Sequence, residues 1–235
     1  MPKAWSVVDF ILVVLGGFLG AAIFFWLTMA TGGEDELLLV VGLAGQYVGH
    51  LGVLWWVARR KAYPDLGFAV QGSDALYLGI GLLLQLVLAI LFLPLSRYLF
   101  PDGDSAQQVG NALAGLESPA ARMSAVAVAV VLAPVTEELI FRGVLLKAMG
   151  NRSRRMIIFV TALVFASFHV LGLDPSRMLE ASVLVLPQLF VVGCVLASVT
   201  LRSGRLGPAI FIHSGFNLLA ALVLLLPPEM LESIP

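Results

Sequence analysis

The stretch Ala-Pro-Val-Thr-Glu-Glu-Leu-Ile-Phe-Arg-Gly, residues 133–143, places two carboxylates and a guanidinium inside an apolar run. The charged residues are Glu137, Glu138 and Arg142, and the apolar run around them starts near Met123. A charge at membrane depth costs at least ~2.5–3.5 kcal/mol per residue. Such a costly cluster indicates a functional site within a membrane-spanning helix.

The composition of the whole chain indicates a membrane protein. Of its 235 residues, 60% are hydrophobic and 12% are charged, and the mean hydropathy is +0.98. Soluble domains usually contain about 25% charged residues. The net charge of −1 provides no basic surface, which argues against nucleic acid as a partner. Cys194 is the single cysteine, so a disulfide within the chain is excluded.

Seven stretches of the sequence are apolar and long enough to cross a bilayer, which requires about 20 residues per helix. They are residues 7–30, 37–58, 75–99, 121–149, 156–173, 181–201 and 207–227. The first is too long for the hydrophobic part of a signal peptide, so we expect it to be retained. The sequence therefore predicts an all-α polytopic membrane bundle that forms one domain over residues 1–235.

The placement of Lys and Arg favours one orientation of this bundle. Ten of them lie at the end that contains the amino terminus, and three lie at the opposite end. The ten are Lys3, Arg59, Arg60, Lys61, Lys147, Arg152, Arg154, Arg155, Arg202 and Arg205, and the three are Arg97, Arg122 and Arg177. Because basic residues accumulate in cytoplasmic loops, the amino terminus is predicted to be cytoplasmic and the carboxyl terminus external. We expect a multi-pass protein of the cell membrane, which is the inner membrane if the source is bacterial.

Several polar side chains accompany the charged cluster at membrane depth. They are Gln46, His50, Gln85, Gln188, His169, His213 and Asn217. For the three glutamines and His50 we predict interhelical hydrogen bonds that hold the bundle together. Asp9 is expected at the mouth of the first helix, where water reaches it.

Spacing separates the two adjacent glutamates of the fourth helix. Glu138 and Arg142 are four residues apart, so they share a helix face and are expected to form an ion pair. Glu137 is rotated ~100° from Glu138 and should be left free for chemistry. Pro134 removes a backbone hydrogen bond and is expected to bend the helix beside the cluster.

Three of the polar side chains are predicted to lie at a similar depth in the bilayer. With a rise of ~1.5 Å per residue, Glu137, His169 and His213 all fall well inside the bilayer, where they can meet in a cavity entered from the cytoplasm. A buried carboxylate with an imidazole partner is an arrangement for general-base catalysis on water. His213 and Asn217 share one helix face and can donate hydrogen bonds to an oxyanion. These groups suffice to hydrolyse an amide bond.

The same residues also allow a metal-dependent alternative. Glu137, His169 and His213 can supply three zinc ligands, with a water in the fourth position. However, the sequence contains no His-Glu-x-x-His motif, and the three candidates come from three different helices. We therefore favour a metal-free mechanism that requires no cofactor.

Three motifs follow one another in the second half of the chain. Residues 137–142 match Glu-Glu-x-x-x-Arg, residues 165–169 match Phe-x-x-x-His, and residues 213–217 match His-x-x-x-Asn. In this order they resemble the motifs of the CPBP family of intramembrane endopeptidases, which includes the CAAX-processing Rce1 enzymes and the bacterial Abi proteins. The resemblance covers about residues 120–227 and identifies them as the catalytic helices, whereas residues 1–119 form accessory helices without a recognised motif.

The resemblance implies a role for each motif residue. Glu137 and His169 would activate the water, while His213 and Asn217 would form the oxyanion hole. The residues expected to support these groups are Glu138, Arg142, Phe141 and Phe165. The family has long been described as metalloproteases, so the resemblance also allows zinc. The expected partners are membrane lipid and a peptide or protein substrate that enters from the cytoplasmic side.

Two other classes of protein are weighed against this interpretation. A non-catalytic immunity or assembly factor could use the polar cavity only to bind a partner, since a fold can host unrelated functions. A transporter would usually contain paired repeats with interrupted helices in both halves, whereas the polar residues here are concentrated in the second half. We therefore predict an intramembrane endopeptidase of the CAAX-processing type.

Overall fold

The helices account for most of the computed structural model, which describes residues 4–32, 35–101 and 115–224. The helices of these ranges are α1 (Val7–Ala30), α2 (Asp35–Arg60), α3 (Tyr77–Leu99), α4 (Pro119–Ala148), α5 (Arg154–Phe168), α6 (Met178–Ser203) and α7 (Gly207–Leu224). Short 3₁₀ helices precede α3, extend α5 and precede α6; they are Gly72–Leu76, His169–Gly172 and Pro175–Arg177.

The lengths and surfaces of the helices suit a membrane. In the described part of the chain, six helices are long and apolar enough to cross a bilayer, and α7 adds a shorter apolar helix over Gly207–Leu222. Large apolar side chains such as Trp26, Leu91 and Leu179 are exposed on the outside of the bundle. The predicted all-α membrane bundle is confirmed. Lys3 and residues 225–227 of the last predicted helix lie outside the described residues.

Glycines allow α1 and α2 to pack in direct backbone contact. A Cβ added to Gly20 would overlap the carbonyl oxygen of Gly45, and one added to Gly49 would overlap the carbonyl oxygen of Gly16. Small residues four apart are the usual means by which helices approach closely in a membrane. This close packing holds α2 in place, which matters because α2 contributes a side chain to the site.

The same kind of contact holds α7 against α3. A Cβ on Gly81 of α3 would overlap the carbonyl oxygen of Ile212, and a Cβ on Gly215 of α7 would overlap that of Leu78. The two contacts on α7 lie on either side of His213 in the sequence. The close approach of α3 therefore fixes the depth at which α7 presents its motif.

A loop, residues 61–74, closes the end of the bundle that carries most of the basic residues. The ammonium group of Lys147 lies 2.6 Å from the Asp65 carboxylate. The backbone N–H of Leu206 donates to the Gly67 carbonyl at 2.9 Å, which ties the loop to the turn between α6 and α7. We call this the basic end of the bundle.

Asp9 contributes to the same end of the molecule. Its carboxylate is 2.7 Å from the ammonium group of Lys61 and accepts hydrogen bonds from the backbone N–H and the hydroxyl of Ser6. Asp9 is only 5% exposed. The expectation that water reaches Asp9 is therefore wrong, because the loop covers it and Lys61 replaces the solvent.

The opposite end of the bundle is built from different contacts. The guanidinium of Arg177 donates to the Leu99 carbonyl and lies over the Phe100 ring, 4.2 Å from its centroid. The carboxylate of Glu36 accepts the backbone N–H of Ser118 at 3.2 Å. These segments are those that the sequence assigns to the end with few basic residues, so the alternating direction of the helices agrees with the prediction. Which end faces the cytoplasm stays a prediction.

Helix α4 contains two π-helical turns that flank the glutamate pair. They are Val128–Leu132 and Leu139–Leu145, and the α-helical segment between them is Ala133–Glu138. The first precedes Pro134, which cannot donate a backbone hydrogen bond. π-turns widen a helix locally and occur frequently at functional sites. A π-turn thus lies directly before Pro134 and a second one follows the glutamates, while the bend expected at Pro134 stays a prediction.

Candidate active site

Glu138 and Arg142 form an ion pair in the centre of the bundle. Arg142 Nη1 donates to Glu138 Oε1 at 2.9 Å, and both side chains are 0% exposed. Arg142 Nη2 donates to the Gly193 carbonyl of α6 at 3.3 Å, and the guanidinium lies 4.6 Å from the centroid of the Phe165 ring. The pair predicted from the four-residue spacing is therefore present, and it links α4 to α5 and α6.

The Glu138 carboxylate also orients the histidine of α7. His213 Nδ1 lies 2.9 Å from Glu138 Oε1. Because an ionised carboxylate only accepts hydrogen bonds, we assign the proton to Nδ1. His213 Nε2 then points at Glu137, 3.8 Å from its Oε2 atom. One buried carboxylate thus holds both Arg142 and His213.

Glu137 faces in another direction from Glu138 and is held more loosely. Its Oε2 atom lies 3.8 Å from His213 Nε2 and 3.9 Å from His169 Nε2. Its Oε1 atom accepts a hydrogen bond from the Tyr47 hydroxyl at 3.4 Å. Two imidazole nitrogens from α5 and α7 therefore approach the same carboxylate oxygen, as the sequence predicts for these three residues.

His169 lies where α5 changes to a 3₁₀ turn. Its Nδ1 atom is 2.8 Å from the Phe165 carbonyl oxygen, one helical turn earlier. A carbonyl accepts but cannot donate, so Nδ1 carries the proton, and Nε2 of the neutral ring presents a lone pair. The local helix geometry therefore presents the basic nitrogen of His169 to Glu137.

Asn217 is positioned by the first π-turn of α4. Its Nδ2 atom donates to the Ala129 carbonyl at 2.8 Å, and Ala129 belongs to the π-helical turn Val128–Leu132. A carboxamide nitrogen carries two protons, so a second N–H remains available to a ligand. The π-turn thus orients a side chain on another helix.

The four predicted catalytic residues line one cavity of about 450 Å³, which also includes the Tyr47 side chain; they are Glu137, His169, His213 and Asn217. From Glu137 this cavity extends to Leu171 and Ala221, away from the basic end. On the other side, Leu66 of the 61–74 loop packs against Gly143, where a Cβ would be 3.0 Å from Leu66 Cδ2. The cavity thus gives no support for entry from the basic end, and the side of entry stays a prediction.

Aromatic rings surround the charged groups, as expected for Phe141 and Phe165. The Phe165 ring centroid lies 4.8 Å from the ring of His169 and 5.7 Å from that of His213. Phe141 is buried and packs edge-on against Phe165 at 5.2 Å. Phe165 thus packs against both imidazoles and against Phe141.

The other polar residues of the membrane helices behave in two ways. His50 Nδ1 bonds to the Val13 carbonyl of α1 at 2.9 Å, so its predicted interhelical hydrogen bond is present. Gln188 Nε2 instead donates to the Leu184 carbonyl of its own helix, so its predicted interhelical role is wrong. Gln188 lines the cavity together with Gln46 and Gln85.

Tyr47 is the contact that the sequence does not reveal. A tyrosine in an apolar helix is usual at an interface, because one end of the ring is apolar and the other polar. The one local feature that sets Tyr47 apart is its polar neighbour Gln46. Gln46 was itself expected only to stabilise the bundle by an interhelical hydrogen bond. Helix α2 carries no motif, so its contribution to the site appears only in three dimensions.

Glu137, His169 and His213 were also the candidate ligands of a zinc ion. Within the described ranges, no group of three His, Cys, Asp or Glu side chains is arranged so that it could hold a metal ion. The three side chains approach one another through Oε2 and two Nε2 atoms, at 3.8 and 3.9 Å. They form a carboxylate–imidazole cluster, and both the metal-free mechanism and the zinc alternative stay predictions.

The comparison with protein families matches the helices that carry the three motifs. Residues 119–219 match the model of the family described as Rce1-like, type II CAAX prenyl endopeptidase. This segment runs from the start of α4 into α7 and contains all three motifs. No curated protein and no solved structure matches the chain. The match and the motif residues gathered in one cavity lead to the same conclusion: residues 119–219 form an Rce1-like domain, similar to type II CAAX prenyl endopeptidases.

Proposed function

We propose that the protein is an intramembrane endopeptidase that hydrolyses a peptide bond in a membrane-associated protein or peptide. The observation that carries this function is the approach of two imidazole Nε2 atoms to one carboxylate oxygen of Glu137, at 3.8 and 3.9 Å, inside a cavity at membrane depth. The Rce1-like domain at residues 119–219 supports a CAAX-type endopeptidase at the family level.

Glu137 and His169 are the groups that activate the water. Polar atoms separated by more than 3.5 Å are commonly bridged by a water molecule. A water bound between Glu137 Oε2 and His169 Nε2 gives up a proton to the carboxylate as its oxygen attacks the carbonyl carbon. The carboxylate then returns this proton to the leaving nitrogen when the C–N bond breaks. A positioned general base typically contributes ~10²–10⁴-fold to the rate.

Tyr47 positions the carboxylate for this step. Its hydroxyl donates to Oε1 at 3.4 Å, which leaves Oε2 to face the imidazoles. Since Tyr47 contacts the base and not the reacting bond, we assign it a positioning role.

His213 and Asn217 stabilise the oxyanion that forms on the substrate. The second N–H of Asn217 is free to donate, because the first is used on Ala129. His213 donates a hydrogen bond from Nδ1–H to Glu138, so it can donate to the oxyanion only through Nε2, when that nitrogen also carries a proton. Loss of one donor from such a site typically lowers kcat by about 10²–10³-fold.

The experiment compares cells that contain the wild-type protein with cells that contain Glu137→Gln, and it measures membrane peptides by mass spectrometry. We expect uncut peptides to accumulate in the variant. Glu180→Gln is the matched control, because Glu180 lies in the first turn of α6 and outside the cavity. An active Glu137→Gln enzyme would refute the mechanism. A phenotype that survives in Glu137→Gln and His169→Ala alike would instead indicate a non-catalytic binding protein.

Metal analysis of the purified protein separates the two versions of the chemistry. The glutamate mechanism expects full activity after treatment with a chelator. Stoichiometric zinc that disappears in His169→Ala, together with activity lost to the chelator, would replace the glutamate mechanism with zinc-dependent hydrolysis by the same residues.

A further inference from the structure

Three carboxamides line the cavity beyond the catalytic groups. They come from three different helices: Gln46 from α2, Gln85 from α3 and Gln188 from α6. Gln85 Oε1 is buried and has no hydrogen-bond partner among the described residues. Gln188 uses one N–H on its own helix, which leaves its oxygen and its second N–H for another group.

A buried carboxamide oxygen that lacks a hydrogen-bond partner destabilises a membrane protein. A buried polar atom without a partner costs about 1–3 kcal/mol. Inside a cavity that partner is a water or a ligand that displaces the water. Gln85 therefore offers an acceptor that a ligand entering the cavity can use.

The chemistry of the lining identifies the class of ligand. A carboxamide both donates and accepts, which matches the N–H and C=O groups of a polypeptide main chain. Apolar residues such as Leu43, Leu171 and Leu189 line the same cavity. The ionisable residues that line the cavity all lie at or beside the catalytic groups; they are Tyr47, Glu137, His169 and His213. The cavity thus suits an uncharged segment with apolar side chains.

We propose that Gln46, Gln85 and Gln188 bind the main chain of an extended peptide segment and guide its scissile bond to Glu137. The inference rests on the proposed function. An extended segment is required because a helix uses its own main-chain hydrogen bonds and leaves none for the glutamines. The volume of about 450 Å³ lies within the ~300–1,000 Å³ of small-ligand sites, so the occupant is a short segment.

Binding is measured apart from turnover, in the Glu137→Gln background and in lipid nanodiscs. The probe is a fluorescently labelled peptide of eight residues, made of Ala, Leu and Val, and the readout is anisotropy. We expect Gln85→Met and Gln188→Met each to weaken binding about 10-fold, the loss that corresponds to one hydrogen bond of about 1.4 kcal/mol. Gln71→Met is the control, because Gln71 is exposed and lies in the 61–74 loop.

Methionine has nearly the shape of glutamine and no carboxamide to desolvate, so the variants should unfold at the wild-type temperature or above it. A second series of probes replaces one peptide bond at a time with an ester, which removes a single N–H. One ester position should weaken binding to the parent protein about 10-fold and leave binding to the matching Gln→Met variant unchanged.

The outcomes separate this inference from the proposed function. Equal binding of the peptide by the parent protein and by both Gln→Met variants would overturn the carboxamide site, whatever the protease activity. Ester effects that persist in every variant would also overturn it, because the N–H groups would then contact other residues. Glutamine-dependent binding by a protein that cuts nothing would retain the site and reject the protease.

Discussion

Glu137 and Glu138 are neighbours in the sequence and opposites in their surroundings. Glu138 is 0% exposed and contacts Arg142 and His213, each at 2.9 Å. Glu137 lines the cavity, and its contacts with Tyr47, His169 and His213 are all between 3.4 and 3.9 Å. One carboxylate is paired with close partners, whereas the other is surrounded by groups at distances that a bridging water can span.

The difference between the two carboxylates is produced by the helix that carries them. They lie at the end of a short α-helical segment, Ala133–Glu138, between two π-turns. A rotation of ~100° between neighbours directs one side chain to the bundle interior and the other to the cavity. A single helix can therefore supply a structural charge and a reactive charge without an intervening residue.

The largest expected effect separates the two glutamates directly. Glu138→Gln leaves the buried Arg142 without its counter-charge, which is expected to destabilise the protein by about 3–5 kcal/mol. Glu137→Gln removes a group with looser contacts, so we expect stability within about 1 kcal/mol of wild type and activity lowered ~10²–10⁴-fold. Thermal unfolding and peptide cleavage on the same preparations test both. A Glu138→Gln protein of wild-type stability would contradict the structural role of the pair.

The second prediction concerns the two histidines, which differ in the same manner. His213 bonds to the buried Glu138, so His213→Ala is expected to lose ~10²-fold in activity and about 1–3 kcal/mol in stability. The side chain of His169 is 27% exposed, and its hydrogen bond among the described residues lies within its own helix turn. His169→Ala should therefore lose activity with a much smaller loss of stability. Equal destabilisation by both substitutions would show that the two imidazoles are held alike.

Tyr47→Phe tests how the looser carboxylate is oriented. Because the hydroxyl bond to Glu137 is long, we expect kcat to fall about 10-fold, equivalent to about 1.4 kcal/mol, with KM and thermal stability unchanged. Tyr98→Phe is the control, since Tyr98 is 82% exposed. A rise in KM at constant kcat would place Tyr47 in substrate binding instead.

Much of the fold follows from the lengths of the apolar runs, because a bilayer accepts few other structures. The α2 helix, for example, begins and ends two residues outside the predicted 37–58, at Asp35 and Arg60. The Glu138–Arg142 pair also follows from local geometry, since i,i+4 spacing determines it within one helix. The candidate site follows from motifs that contain charged residues, which are costly to bury and therefore conspicuous.

The remaining features depend on contacts between distant segments. Tyr47 meets Glu137 across 90 positions of the chain, and no local pattern on α2 signals that contact. Asp9 is covered by a loop that begins more than fifty residues later. The second π-turn of α4 contains no proline, so its widening has no local marker in the sequence. These features depend on tertiary packing, which leaves no periodic pattern in the sequence from which they could be predicted.

The smallest expected effect on stability comes from removing an ion pair at the surface, between Asp65 and Lys147. Asp65 contacts Lys147 at 2.6 Å, but its side chain is 83% exposed. The hydrogen bond from Lys147, followed by that from the Gly67 N–H, holds the pKa of Asp65 below its usual value of 3.8. A depressed pKa means that the stabilisation is present above pH 3.8 and is lost as the pH falls through the lower, folded-state pKa.

Asp65→Asn should therefore change stability by at most about 0.5 kcal/mol at pH 7 and by less at lower pH. Thermal unfolding at pH 7 and pH 3 measures the difference. An effect at pH 7 as large as that of Glu138→Gln would mean that exposure does not distinguish the outer pair from the inner one.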